Sequence, residues 1–590
     1  MNLNDKQRKA VEYKNGPLLI IAGAGSGKTR TLTARVIRFI NEGIHPKKIL
    51  AITFTNKAAK QMLERITSSL TPPHTKEIPF VGTFHSLGVR MLKKHAVLFK
   101  RTSDFSIFDD DDASRLIKHI IKRHTVSEAV TIPAVKRAIA TYKHTLLPVE
   151  EIENEEIRAL VTLYEKELQE NNAFDFGDLI EKPVRLLQNH PLVLKEWQQK
   201  FSHILVDEYQ DVNTAQYHFV RLLGDAHRNV TAVGDDAQAI YGWRHADFRN
   251  FFRFEKDWPE SKVLALEQNY RSSKNIIYAA SELIKHNTVQ KEKNLWTENP
   301  DGPLIDVIGL KNQEQEAESL VSGIFDIRSK TPHSRIAILY RTNAQSRAIE
   351  QAFIQADLPY HIFGGVKFYD RKEIKDIIAC LRFASNPKDS ISKERIRKAF
   401  LKAPADRLLR ELPERAQTQT LLEIINFIIV DSFFFDRLQK KFGNAQERIE
   451  NVDELIAYAG TFKTLAEFLE QVSLLQTTDK PSKTTQKNKL PVELMTIHMA
   501  KGLEFDVVFI VGCAEGLMPH KMSYRTLAEL EEERRLMYVA MTRAKEKLYI
   551  LFYSIPSRFL YELPPELTSF NATDARVNDL PDEDIIYIDE

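Results

Sequence analysis

Apolar residues along this chain follow two rhythms. Short, mainly apolar runs at residues 18–21, 49–54, 204–207 and 230–234 are each followed by a segment that could form a helix. The runs read as strands buried on both faces and the segments as covering helices, which together predict a parallel α/β sheet. The pattern returns at residues 336–340, 507–512 and 548–553, so a second parallel sheet is expected. Between the sheets, residues 104–187 show helical periodicity with little sign of strands, as in the stretch from Ala113 to Ile121. The acidic run Asp109, Asp110, Asp111, Asp112 in front of that stretch reads as a helix cap and dipole partner rather than a metal site. Residues 376–476 form a second helical region, which ends in 477–488, a Thr-, Lys-, Gln- and Ser-rich connector without apolar period.

Length and composition narrow the class. At about one domain per 150 residues, 590 residues suggest several cores. The chain is 43% hydrophobic and 28% charged, which excludes wholesale disorder. Lys plus Arg number 83 against 81 Asp plus Glu, so any surface for a polyanion has to be a local patch. Two cysteines, Cys380 and Cys513, are too few for a disulfide scaffold or a four-cysteine zinc site, and fit a reducing cytoplasm. The first residues lack the charged start and apolar run of a signal peptide. The most apolar stretch, 421–435, is broken by Glu423, Asn426 and Asp431 and falls short of the roughly 20 residues of a membrane span.

Candidate chemistry begins directly after the first run. Ala22, Gly23, Ala24, Gly25, Ser26, Gly27, Lys28 and Thr29 are small residues followed by a Lys-Thr pair, between a predicted strand and a predicted helix. Such a turn lets backbone N–H groups wrap a polyphosphate, with Lys28 reaching the terminal phosphates and Thr29 a magnesium ion. Ala22 departs from the strict pattern, which has glycine there. Asp207 and Glu208 follow the run 204–206, and would hold magnesium and polarise an attacking water, respectively.

With these sites in view, the chain resembles the UvrD/Rep group of superfamily 1 DNA helicases, which uses alanine at the first position of this loop. Eleven blocks match in order, among them Leu3-Asn-Asp-Lys-Gln7, Gly82-Thr-Phe-His-Ser86, Gly234-Asp-Asp-Ala-Gln238, Ile240-Tyr-Gly-Trp-Arg244, Gln268-Asn-Tyr-Arg-Ser272 and Tyr538-Val-Ala-Met-Thr-Arg543. The resemblance implies two RecA-like motor domains of the P-loop NTPase fold, with ATP in a cleft between them and a mainly helical insertion in each. It assigns 1–103 and 188–275 to the first motor domain and 104–187 to its insertion. The second motor domain takes 276–375 and 490–560, its shortened insertion with connector 376–489, and an acidic tail 561–590. Gln7 would read the adenine edge, Tyr270 and Arg30 would pack on its ring and Glu504 would bind the ribose. Gln238 would sense the γ-phosphate, and Arg271 and Arg543 would be arginine fingers. Thr53, Phe54, Thr55, Asn56, Thr83, His85, Tyr241, Trp243, Arg244, Arg341 and His498 would line the path of a single strand, with aromatic faces on bases and polar groups on phosphates.

The resemblance thus implies an ATP- and Mg2+-dependent enzyme moving 3′ to 5′ on single-stranded DNA and tailed duplex, in repair or replication, alongside protein partners of those processes and away from membranes. Two departures bear on this. His245 stands where the group usually has glycine, and the second insertion, at about 110 residues, is short for the group, which bears on duplex separation. A nucleotide-gated DNA clamp or recruitment factor without productive unwinding is the alternative; degenerate catalytic positions would favour it, and Lys28, Glu208, Gln238, Arg271 and Arg543 are all present.

Overall fold

The computed structural model describes residues 3–70, 77–127, 130–478 and 490–572. They divide into two units: Met1–Tyr270 with Thr288–Glu298, and Arg271–Asn287 with Asn299–Glu590. The division falls between Tyr270 and Arg271, and the chain returns to the first unit for residues 288–298. A single boundary at 275/276 is therefore too simple.

The first unit is built on six parallel strands, Leu18–Ala22 (β1), Ile49–Ile52 (β2), Phe80–Gly82 (β3), His203–Val206 (β4), Val230–Gly234 (β5) and Lys262–Leu266 (β6), in the order β3-β2-β4-β5-β1-β6. All five residues of β1 are buried because successive side chains enter opposite cores. Leu19 and Ile21 pack with Phe84, Trp197 and Phe219, whereas Leu18, Ile20 and Ala22 pack with Leu32, Val36 and Phe39. An unbroken apolar run is what a two-faced position requires.

The helical insertion of this unit has its own core, with Leu116, Ile120, Val135, Ile139, Val161 and Leu168 at helical spacing. Asp109 caps the helix Asp110–Arg123, its carboxylate accepting from the N–H of Asp112 at 2.8 Å. The insertion also contains a short parallel pair, Ser106–Phe108 with Ala173–Asp175, which the helical periodicity hid. Lys143, 1% exposed, meets Glu165 at 2.7 Å and Asp175 and Asp178 at 2.8 Å. Burial, with Glu165 nearby, pushes the Asp178 carboxyl up to about 7, whereas Lys143 and Lys182 outweigh burial and hold Glu165 down to about 2. Lys143→Met leaves these acids without their central cation, and a loss of about 3–5 kcal/mol in urea unfolding is expected. A loss below about 1 kcal/mol would mean that Lys182 alone neutralises them.

The second unit carries seven parallel strands, Ile305–Leu310 (β7), Ile336–Tyr340 (β8), Tyr360–Ile362 (β9), Val492–Thr496 (β10), Phe505–Ile510 (β11), Ala544–Tyr553 (β12) and Thr568–Ala572 (β13), in the order β9-β10-β8-β11-β12-β7-β13. Strand β13 lies at the sheet edge against β7, so residues 561–572 belong to the fold and not to a tail. The acidic residues beyond 572, and most of the connector, lie outside the described residues. Helices from Lys372–Ser385 to Leu465–Thr478 make up the insertion of this unit, around a core of Ile377, Leu381, Leu408, Ile424, Ile428 and Leu455.

Candidate nucleotide and DNA sites

Strands β1, β5 and β4 are neighbours, so the loops at their carboxyl ends lie side by side, where parallel sheets place their ligands. The first loop leads into the helix Lys28–Asn41, whose first backbone N–H groups have no partner within the helix. Gly27 precedes the helix at φ +81°, and a β-carbon there would sit 2.9 Å from Nε2 of Gln7. Gly23 is needed for a different reason, since its β-carbon would lie 2.2 Å from Leu295. Ser26 folds inward, its hydroxyl donating to Gly23 O at 2.7 Å, and Lys28 Nζ donates to Ala22 O at 3.3 Å. Ala24 is buried and its carbonyl accepts from Asn269 Nδ2 at 2.7 Å; Gly25 O accepts from Tyr270 N at 3.0 Å.

The loop after β4 brings Asp207 to the same place. Thr29 donates its hydroxyl to Asp207 Oδ2 at 2.8 Å, which joins the two residues expected to hold magnesium. Burial, with Glu208 beside it, pushes the Asp207 carboxyl up to about 7. A hydroxyl and a buried carboxylate held together are hard oxygen donors that suit a small divalent cation. Glu208 adopts a left-handed conformation at φ +51° and its Oε2 accepts from Gln210 Nε2 at 2.7 Å. The chain turns abruptly there, and the Glu208 N–H donates to Asp207 Oδ1 at 3.1 Å.

The loop after β5 places Gln238, 3% exposed, with its amide donating to Asp235 Oδ2 at 2.6 Å. Lys293 bridges Asp235 at 2.8 Å and Asp236 at 2.6 Å. Lys293, Asn269 and Leu295 were not singled out from the sequence. Lys293 and Leu295 come from residues 288–298, and no motif spacing links that segment to the phosphate loop.

The adenine candidates also assemble within the first unit. Gln7 is held by a capping box with Asn4 and donates Nε2 to Ser26 O at 2.9 Å. Tyr270, 46% exposed, takes a hydrogen bond from Asn4 Nδ2 at 2.7 Å on its hydroxyl, which leaves a ring face toward solvent. Arg30 is exposed on the first turn of the phosphate-loop helix. In the second unit, Arg271 donates Nε to Glu504 at 3.0 Å and Nη1 to Thr542 O at 3.0 Å, so the expected finger and the expected ribose ligand are paired there. Lys545 is also 3.2 Å from Glu504, and against the effect of burial these cations hold its carboxyl below the usual range. Arg543 donates to Val539 O at 3.0 Å, Leu503 O at 3.1 Å and Thr542 Oγ1 at 3.2 Å.

Of the DNA candidates, Trp243 decides most. It is 60% exposed, which a core tryptophan would not be. Arg244 lies over its ring at 4.5 Å and over Tyr241 at 5.6 Å, forming an aromatic and cationic surface five residues from Gln238. Phe54 is half-buried, Thr53 is buried, and Thr55 and Asn56 are exposed at the start of the helix Asn56–Ser69. Thr83 is engaged as the cap of Phe84–His95, and the half-buried His85 packs at 5.7 Å on Phe176. In the second unit, Arg341 is bound by both oxygens of Glu533 at 2.7–3.1 Å, so its charge is already met, and His498 is half-buried on a short helix after β10.

Comparison with known proteins returns matches over both units. The UvrD/REP helicase N-terminal domain matches residues 3–259, and the UvrD-like helicase C-terminal domain matches 264–436 and 431–554. The chain belongs to the UvrD-like helicase family. It is 39% identical to the ATP-dependent DNA helicase PcrA of Bacillus subtilis, over 96% of this chain and 86% of that protein. The PcrA proteins of Staphylococcus epidermidis and Staphylococcus aureus are 38% and 36% identical, over 96% and 98% of this chain and 87% and 88% of theirs. For a UvrD-like helicase the two parallel sheets are the two RecA-like motors. Among the described residues no helix is long and apolar enough to cross a membrane.

Proposed function

We propose that this chain is a DNA-stimulated ATPase that moves 3′ to 5′ along single-stranded DNA and separates tailed duplex, in repair or replication. The observation that carries the reading is the 2.8 Å bond between Thr29 and Asp207, which ties the phosphate loop to the carboxylate loop. On this reading the helix N-terminus and Lys28 bind the β- and γ-phosphates of ATP. Gln7 and Tyr270 seat the adenine. Thr29 and Asp207 would hold magnesium, which would supply positive charge to the phosphate oxygens when bound. Glu208 takes the proton of the attacking water on a carboxylate oxygen, and Gln238 contacts the γ-phosphate. Arg271 and Arg543 act on the charge of the transferring phosphoryl group. Glu504 must then exchange Arg271 for the ribose. Unwinding of a partial duplex with a 3′ tail, compared with one with a 5′ tail while ATP consumption is followed, tests direction and activity together. ATP consumption without strand separation on either substrate would replace this reading with a nucleotide-gated clamp.

Trp243 stacks on a base in this scheme, and Tyr241 and Arg244 extend its surface. Trp243→Ala is expected to weaken binding of a labelled single strand by about 5- to 150-fold, the range for one lost base stack. Its melting temperature should stay close to that of the parent, because the ring is 60% exposed. A large fall in melting temperature with unchanged DNA affinity would return Trp243 to a structural role.

A further inference from the structure

The turn that carries Trp243 ends at His245, whose φ of +64° lies in the left-handed region, where glycine sits without strain. A side chain kept in that conformation needs contacts that hold it. The His245 imidazole stacks on that of His144, with centroids 5.1 Å apart and planes at 29°. His144 sits near the end of the helix Ile132–Thr145 in the insertion, and its Nδ1 is 2.9 Å from Nδ2 of Asn213. An amide nitrogen only donates, so Nδ1 accepts and the ring proton resides on Nε2. Asn213 closes the carboxylate loop two residues after Asp211, caps the helix Thr214–Gly224, and forms a bridge with Ala246. Asp247 N donates to Val212 O at 3.1 Å beside it. Insertion, carboxylate loop and base-stacking turn therefore converge on one imidazole.

We infer that His144 and His245 are a positioning pair that fixes the Trp243 turn against the Asn213 end of the carboxylate loop, so that the base-stacking face is preset for DNA. This rests on the functional reading above. The pair works with neutral rings. Burial, followed by the neighbouring His245 and His85, holds His144 down to about 4, with Asp175 opposing and Lys143 adding slightly to the shift. Burial also lowers His245 and His85. Since the folded values lie below the ordinary one of about 6.5, the pairing is complete above that pH and is lost as pH falls from there toward about 4. Protonation then sets like charges face to face and removes the acceptor that Asn213 uses.

The test measures the single-strand concentration that half-saturates ATPase stimulation, and the affinity for a labelled oligothymidylate by anisotropy. Glycine accepts the left-handed backbone, so His245→Gly is expected to keep the parent's melting temperature and basal turnover. It should raise half-saturating DNA by about 2- to 12-fold, as loss of an aromatic pair would. His144→Ala should match it, with the double variant no worse than either single one. His144→Phe, which stacks but neither takes a proton nor accepts from Asn213, should fall between the parent and His144→Ala at pH 7.5 and lose the parent's decline toward pH 5.5. A His245→Gly variant with the parent's half-saturation overturns the pair, provided the parent is stimulated by DNA. A parent whose ATPase ignores DNA overturns the functional reading itself.

Discussion

Arg271→Ala lowers ATP turnover by about 10³- to 10⁵-fold while ATP binding weakens far less, if its guanidinium acts on the charge that develops during phosphoryl transfer. The same holds for Arg543→Ala. The two variants differ in a second respect. Arg271 holds Glu504, so its removal leaves that carboxylate with Lys545, 3.2 Å away. Arg543 instead ties Val539, Leu503 and Thr542 together, and its removal releases backbone carbonyls. Melting curves should therefore accompany kcat and KM. Unchanged turnover at saturating ATP, with only KM raised, would make either residue a ground-state contact. For Arg543, a collapse in melting temperature would assign it to the fold.

Glu208→Gln should lose about 10²- to 10⁴-fold in turnover and still bind ATP and DNA, because the amide keeps the shape and cannot accept the proton. Lys28→Ala should lose turnover and nucleotide affinity together, since Lys28 is expected to contact phosphates in the ground state as well. The contrast separates base from binder. A Glu208→Gln variant that hydrolyses ATP at near the parent rate would mean that another group activates the water.

Much of the fold was legible because it rests on fully buried strands, and such strands leave a simple mark. Residues 230–234 read as a strand, and β5 has those bounds. Strands that are short or lie at an edge left a weaker mark: β3 is half-exposed over two of its three residues, and Lys262 at the start of β6 is exposed. The phosphate loop and the carboxylates were legible from local order alone, because each is one continuous segment at a strand end. Lys293 was not, since it lies on a segment reached only after the chain has left the first unit and returned, and Asn269 was not, since its bond to Ala24 O joins residues 245 positions apart. The Glu504–Arg271 and Arg341–Glu533 pairs were equally hidden. They join residues roughly 190 to 230 positions apart, and local patterning carries no record of such partners.

The return of residues 288–298 to the first unit limits how this gene could be divided or recombined. A fragment ending at Tyr270 would keep Asp235 and Asp236 but lose the ammonium of Lys293, and would uncover the face of Gly23 on which Leu295 packs. It would also lose the pairing of Trp296–Thr297 with Gln268–Asn269, just before Tyr270. The motors of this chain are interlaced in their genetic order. Exchanging one motor between relatives takes three crossovers, at 270/271, 287/288 and 298/299, and a single crossover anywhere in 271–287 separates the loop at 22–29 from the supporting peptide 288–298.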